Sequence, residues 1–149
     1  MPVELERKFL VLSCDLSRLT GGERIRQGYL SCEPVVRVRV RGQEAFLTIK
    51  GPGLGRRPEF EYPIPLDDAQ ELLGLCGAVI DKARYTIGRV DLDVFEGPLA
   101  GLVLAEVEEV PPDEPIAPPE GIEWVEVTGQ PEYESSSLAR HGAPEVAPA

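Results

Sequence analysis

The chain has 149 residues, 42% of them hydrophobic, with 26 acidic and 15 basic side chains and a formal net charge of -11. That length and apolar content fit one domain over 1–149 that buries its core without disulfides or a structural metal. The acidic excess argues against nucleic acid and anionic membranes as partners, so an anionic ligand has to be met by a local cluster of cations, by a metal, or by both.

In chain order, Glu4 to Val11 reads as a first strand and Thr20-Gly21-Gly22 as a turn. Arg24 to Ser31 is a second strand, stopped by Pro34. In Val35 to Arg41, Val36, Val38 and Val40 alternate with Arg37, Arg39 and Arg41, which predicts a strand with one apolar and one basic face. Ala45 to Lys50 follows, and then a strand whose apolar positions are Phe60, Tyr62 and Ile64. Asp67 to Cys76 is the one convincing helix: Asp67 or Asp68 can cap it, and Ala69, Leu72, Leu73 and Cys76 form its stripe. Strands are expected again at Ala78–Ile87, Arg89–Phe95 and Leu102–Glu109. An acidic, proline-rich loop spans Pro111 to Gly121, Trp124 to Thr128 is a further strand, and Glu132 to His141 is a short helical return. Residues 142–149 read as a flexible tail. Many short strands with one helix suggest a barrel or a sandwich with a helical appendage.

Several chemistries find little support. Cys14, Cys32 and Cys76 show no zinc spacing and read as thiols in a reducing compartment. His141, the only histidine, sits near a Pro/Ala-rich tail. The charged N-terminal residues Glu4, Glu6, Arg7 and Lys8 leave no apolar signal region, and no run approaches a membrane span, so a cytoplasmic location is expected.

The distinctive feature is charge at i and i+2, positions that share a strand face. The acidic sets are Glu4 with Glu6, Glu59 with Glu61, Asp91 with Asp93, and Glu106 with Glu108. The basic sets are Arg37, Arg39 and Arg41, and Lys82 with Arg84, while Thr48 with Lys50 is mixed and Lys8 extends the first acidic pair. One such pair is usually a solvated face. A solvated sheet would also mix in Ser, Thr, Asn and Gln, whereas these positions are nearly all ionic and sorted by sign. The alternative is a face turned inward to line a wet cavity. Carboxylate pairs suit Mg²⁺ or Mn²⁺, and arginine forks and lysines suit phosphate oxygens.

These segments resemble, in order, the motifs of the CYTH superfamily, the triphosphate tunnel metalloenzymes. Glu4-Leu5-Glu6-Arg7-Lys8 matches its ExExK signature, Arg26 to Leu30 its RQGYL, Arg37-Val38-Arg39 its RxR and Leu47 to Gly51 its LTIKG. Glu59 to Tyr62 matches EFEY, Lys82 to Tyr85 K-x-R-Y, Asp91 to Phe95 its D-V-F segment and Ala105 to Glu108 AEIE. Val127 to Gly129 and Ser137 to Ala139 resemble its VTG and NLA tail, although Ser135-Ser136-Ser137 stands where relatives often carry asparagine.

The resemblance implies an α+β, mainly β fold: an eight-stranded antiparallel closed β-barrel with a few helices packed outside. It is best with short, single-domain bacterial members, which implies metal-dependent hydrolysis of inorganic tripolyphosphate to pyrophosphate and phosphate with one or two Mg²⁺ or Mn²⁺ ions. Thiamine triphosphatase, nucleoside triphosphatase, adenylate cyclase and a non-catalytic polyphosphate-binding module are the alternatives. The resemblance makes Glu4, Glu6, Glu106 and Glu108 metal ligands, with Glu59, Glu61 and Asp93 as weaker candidates. Lys8, Arg37, Arg39, Lys50, Lys82 and Arg84 would bind the triphosphate, and Tyr29 and Lys82 would position or deprotonate the water. The expected partner is tripolyphosphate or an organic triphosphate, with a homodimer left open.

Overall fold

The computed structural model describes residues 3–53 and 56–144, without the side chains of residues 3, 4 and 56. The tail expected over 142–149 therefore lies largely outside the described residues. Within them the chain forms nine strands: β1 (Val3–Ser13), β2 (Glu23–Cys32), β3 (Val35–Arg41), β4 (Glu44–Lys50), β5 (Arg56–Ile64), β6 (Val79–Ile87), β7 (Val90–Phe95), β8 (Val103–Glu108) and β9 (Glu123–Glu126). Two helices accompany them, α1 (Leu66–Leu75) and α2 (Ser135–His141). None of the described helices is long and apolar enough to cross a membrane.

All nine strands join one antiparallel sheet in the order β5-β4-β3-β2-β6-β7-β8-β1-β9. Residues 3–5 of β1 also pair with residues 56–58 of β5. Eight strands were expected in the ring; the ninth, β9, is the expected Trp124 segment, hydrogen-bonded along β1.

The period-2 pattern decides which face each side chain takes. Cross-strand partners share a face, and the register sets Glu6 opposite Glu108, Lys8 opposite Glu106, Arg84 opposite Asp93, Tyr29 opposite Arg37, and Lys50 opposite Glu59. One face therefore carries the ionic sets of β1 and β3–β8, with Gln27 and Tyr29 of β2 among them. The other carries their apolar alternates. On that second face Val38 and Ala45 are buried against Ala69 and Leu73 of α1, and Phe9, Leu92, Ala105 and Val107 are buried with Val110 and Ile122 of the proline-rich loop. Phe9 stacks on Trp124 with ring centroids 4.1 Å apart. Arg7, the middle of the Glu-Arg-Lys run, belongs to this face. It makes a two-pronged pair with Glu126 at 2.9 Å and donates to the backbone oxygens of Pro111 and Glu114, so it fastens the loop to the sheet.

The ionic face changes character along the strands. At one end it becomes apolar: Leu10, Ile80, Phe95 and Leu104 pack with Val127, Tyr133 and Leu138. Leu138 belongs to α2, so α2 covers the apolar end of the ionic face. That differs from the expectation that every helix packs outside. The reason is local: only this end of the face offers an apolar seat for Leu138.

The start of α1 also differs from expectation. Pro65 occupies the cap position and no side chain caps the helix; Asp67 and Asp68 lie in the first turn, where their charge suits the helix dipole. The helix seats on β2 at Gly28, where a Cβ would lie 2.7 Å from Cys76 Sγ and 2.8 Å from its Cβ. Gly28→Ala should therefore push the end of α1 off the sheet and cost about 1–3 kcal/mol. Thermal melting checks this: at roughly 2–4 °C per kcal/mol, a clear fall in Tm is expected.

Candidate active site

The ionic face opens into a cavity of about 230 Å³. Its described lining contains seven of the chain's fifteen cationic side chains, Lys8, Arg37, Arg39, Arg41, Lys50, Arg57 and Arg84. In a chain of net charge -11 such a concentration of cations is not what solvation alone produces. Seven carboxylates line the same space.

The two signs are largely sorted by strand, with Lys8 on β1 and Arg57 on β5 as the exceptions. Glu6, Glu106, Glu108 and Asp91 come from the neighbouring strands β1, β8 and β7. Arg37, Arg39 and Lys50 come from β3 and β4, with Arg84 of β6 beyond β2. Glu59, Glu61 and Arg57 of β5 lie at the other side of the basic strands. Only Tyr29, Val35 and Phe46 add apolar or aromatic surface.

The cations crowd one another. Burial, and then Arg37 and Arg84, push the Arg39 guanidinium down to about 9. Arg39 Nε donates to Gln27 Oε1 at 2.8 Å, and Gln27 Nε2 donates to the Tyr29 hydroxyl at 3.2 Å, so fully buried Gln27 fixes both neighbours. Arg37 donates through Nη2 to Thr48 Oγ1 at 3.2 Å, and Thr48 donates to Glu61 at 3.0 Å. Arg37 Nε is buried and has no hydrogen-bond partner among the described residues. A buried donor without a partner is costly, and an anionic oxygen in the cavity would satisfy it.

On the acidic side, burial alone would raise the Glu106 carboxyl, but Lys8, Arg84, Lys82 and Lys50 overcome it and hold the group well below the ordinary carboxylate range. Glu106 is therefore a permanent anion. Burial would likewise lower Lys8, yet Glu6, Glu106 and Glu134 raise it above the ordinary lysine value.

Two of the expected site residues lie behind the lining. Lys82 and Asp93 have side chains only 1% exposed, and neither lines the cavity. Lys82 Nζ donates to Asp93 Oδ2 at 2.6 Å, while Arg84 grips the same carboxylate through Nε at 2.8 Å and Nη2 at 2.9 Å. Burial, with Arg39 and Arg84 nearby, pushes Lys82 down to about 8 despite its contact with Asp93. Asp93 stays ionised: burial opposes this, and Lys82 and Arg84 prevail.

The cavity thus gathers the expected residues Glu6, Lys8, Tyr29, Arg37, Arg39, Lys50, Glu59, Glu61, Arg84, Glu106 and Glu108. The Glu4 side chain lies outside the described ones. Among the described residues no three carboxylate, His or Cys side chains are gathered closely enough to hold a metal ion by themselves. Arg41, Arg57, Asp91 and Glu134 line the cavity without having been assigned to it. Arg57 continues the i, i+2 series of Glu59 and Glu61, and Asp91 that of Asp93, so both were legible. Glu134 reaches the cavity only because the chain returns across its end after β9, which no local pattern announces.

Comparisons with known proteins place the chain among relatives. The CYTH domain family matches residues 3–143. An inorganic triphosphatase of Acetivibrio thermocellus is 38% identical over 152 aligned residues covering 95% of this chain and 96% of the relative. One from Nitrosomonas europaea is 36% identical, covering 91% and 96%. The crystal structure of the inorganic triphosphatase NE1496 superposes with a TM-score of 0.65 at 32% identity, covering 93% of this chain and 95% of that one. The charged cavity therefore sits in a fold shared along nearly its whole length, and the chain belongs to the CYTH domain family.

Proposed function

We propose that this protein hydrolyses linear inorganic triphosphate to pyrophosphate and phosphate with the aid of Mg²⁺ or Mn²⁺. The observation that carries the reading is the sorting of charge around one small cavity, cations on β3, β4 and β6 facing carboxylates on β7, β8 and β1. Polyphosphate needs the first sector and a divalent cation the second. The pairing of β1 with β5 supports a sheet closed on itself around that space. The names of the relatives point to the same activity.

The donor set fits a hard cation. Mg²⁺ takes one or two protein carboxylates and fills its remaining positions with water and substrate phosphate. Glu6 and Glu108 face each other across the β1–β8 ladder and Glu106 is held ionised, so these three, with Glu4, would hold it. Bound there, the ion would neutralise phosphate charge and lower the pKa of a coordinated water. Asp93 is engaged elsewhere, and Glu59 and Glu61 stand among the basic strands as counter-charges to Lys50 and Arg37.

The chain's own residues do the rest by position and charge. Arg37, Arg39, Lys50, Arg84 and Lys8 take the phosphate oxygens, joined by Arg57. Arg37 Nε gains the partner it lacks. Tyr29 presents its hydroxyl to the cavity and positions the water. Lys82, bonded to Asp93 and lowered to about 8, contributes charge from beneath and shares with Tyr29 the role of candidate base. The cavity is smaller than the roughly 300–1,000 Å³ of pockets for drug-sized molecules. It also offers little surface for a thiamine or adenine ring to stack on, which favours a bare triphosphate.

Phosphate release from tripolyphosphate, ATP, thiamine triphosphate and pyrophosphate, each with Mg²⁺ and Mn²⁺, tests this. Tripolyphosphate should lead clearly; cyclic AMP from ATP would overturn the reading. Glu6→Gln and Glu106→Gln should each lower kcat by at least about a hundredfold without loss of fold. A variant that kept full turnover would refute the cation assignment.

Asp93 has a separate signature. With its folded pKa below the ordinary 3.8, it adds stability at neutral pH that is lost as pH falls through its folded pKa. Asp93→Asn leaves Lys82 and Arg84 sharing a buried site without their anion, at a cost of about 3–5 kcal/mol at pH 7. Denaturant melts should find most of that loss recovered in the double variant with Lys82→Met, and the gap to the parent narrowing in acid.

A further inference from the structure

The cavity continues past its charged walls. Lys50, Arg57, Glu134 and Ser136 line both the cavity and an adjoining groove of about 730 Å³ that runs on to Arg140 and His141. Glu134 stands at the junction. Its Oε2 lies 3.3 Å from Lys8 Nζ and 3.4 Å from Arg57 Nη2, with the side chain 16% exposed. Lys8 Nζ also donates to the Tyr133 carbonyl oxygen at 3.0 Å. The segment entering α2 thus lays its own carboxylate across two of the cavity's cations, where one oxygen of a phosphate would otherwise sit.

We propose that Glu134 is a specificity-determining residue that limits the length of the phosphate chain. The inference rests on the reading of the cavity as a triphosphate site. A chain longer than the cavity has to extend into the groove, and the way passes Glu134. At such short range in a mostly buried place, a fixed negative charge opposes a further phosphate strongly. Beyond that point the groove holds a cation that a longer chain can reach. It shares Lys50 and Arg57 with the cavity and adds Arg140, against one other carboxylate, the exposed Glu33. Without the Glu134 charge, Lys8 and Arg57 at the end of the triphosphate would no longer be capped by a carboxylate, and a longer chain could run on past them toward Arg140.

The test is the ratio of kcat/KM for linear tetraphosphate to that for tripolyphosphate, both with Mg²⁺. The parent should favour tripolyphosphate. Glu134→Gln should shift the ratio toward tetraphosphate by roughly tenfold, the size expected from losing one nearby charge. Glu134→Asp, which keeps the charge, should stay close to the parent. Should the amide impair folding, Glu134→Ser gives the same readout. Arg140→Ala should leave tripolyphosphate kinetics unchanged in the parent and remove part of the gain in Glu134→Gln, a coupling that a brace for α2 would not produce. An active parent whose ratio is already near one, or is unmoved by Glu134→Gln, overturns this inference alone. A parent that releases no phosphate from tripolyphosphate overturns the functional reading and this inference with it.

Discussion

The fold depends on how a sheet can carry charge on one face at all. Ionic side chains that line a cavity cannot be left dry and unpaired. Here they are paired, Lys8 with Glu6 of its own strand and with Glu134 before α2, and Arg84 with Asp93 and Glu106 and Arg37 with Glu61 across strands, around a space that is itself polar. The stabilising apolar burial is then pushed to the other side, where α1 and the proline-rich loop cover the sheet. The remaining apolar burial is at the end of the ionic face that α2 covers.

That arrangement stores a mismatch. Burial with Arg37 and Arg84 nearby lowers Arg39, burial with Arg39 and Arg84 nearby lowers Lys82, and Arg37 Nε is buried without a hydrogen-bond partner among the described residues. A polyanion relieves both costs at once, so the site is complementary to something it must bind. The Asp93 carboxylate keeps the mismatch tolerable by neutralising two of the cations from behind, and the apolar end under α2 gives the cavity a base.

Residue roles follow from depth as much as from type. Arg7 and Lys8 are adjacent in the chain, yet one ties the outer loop to β9 and the other enters the cavity. Lys82 and Arg84 share a face, yet only Arg84 reaches the lining. Gln27 touches no charged ligand position itself but holds Arg39 and Tyr29 in place. Glu134, contributed by the last turn before α2, links the cavity to the groove beyond.

The amino-acid sequence by itself determined the strands, the faces of their side chains and the ionic character of one face. These follow from a repeat of two residues, a property local to each strand. It also carried most of the lining, including the extensions at Arg57 and Asp91 that the same spacing implied. Only the tertiary structure decided which end of the ionic face is open, which charges lie beneath the surface, and that α2 seats on that face and brings Glu134 to Lys8 and Arg57. Those outcomes depend on strand register and on contacts between residues more than a hundred positions apart, as between Lys8 and Glu134, and no local pattern encodes them.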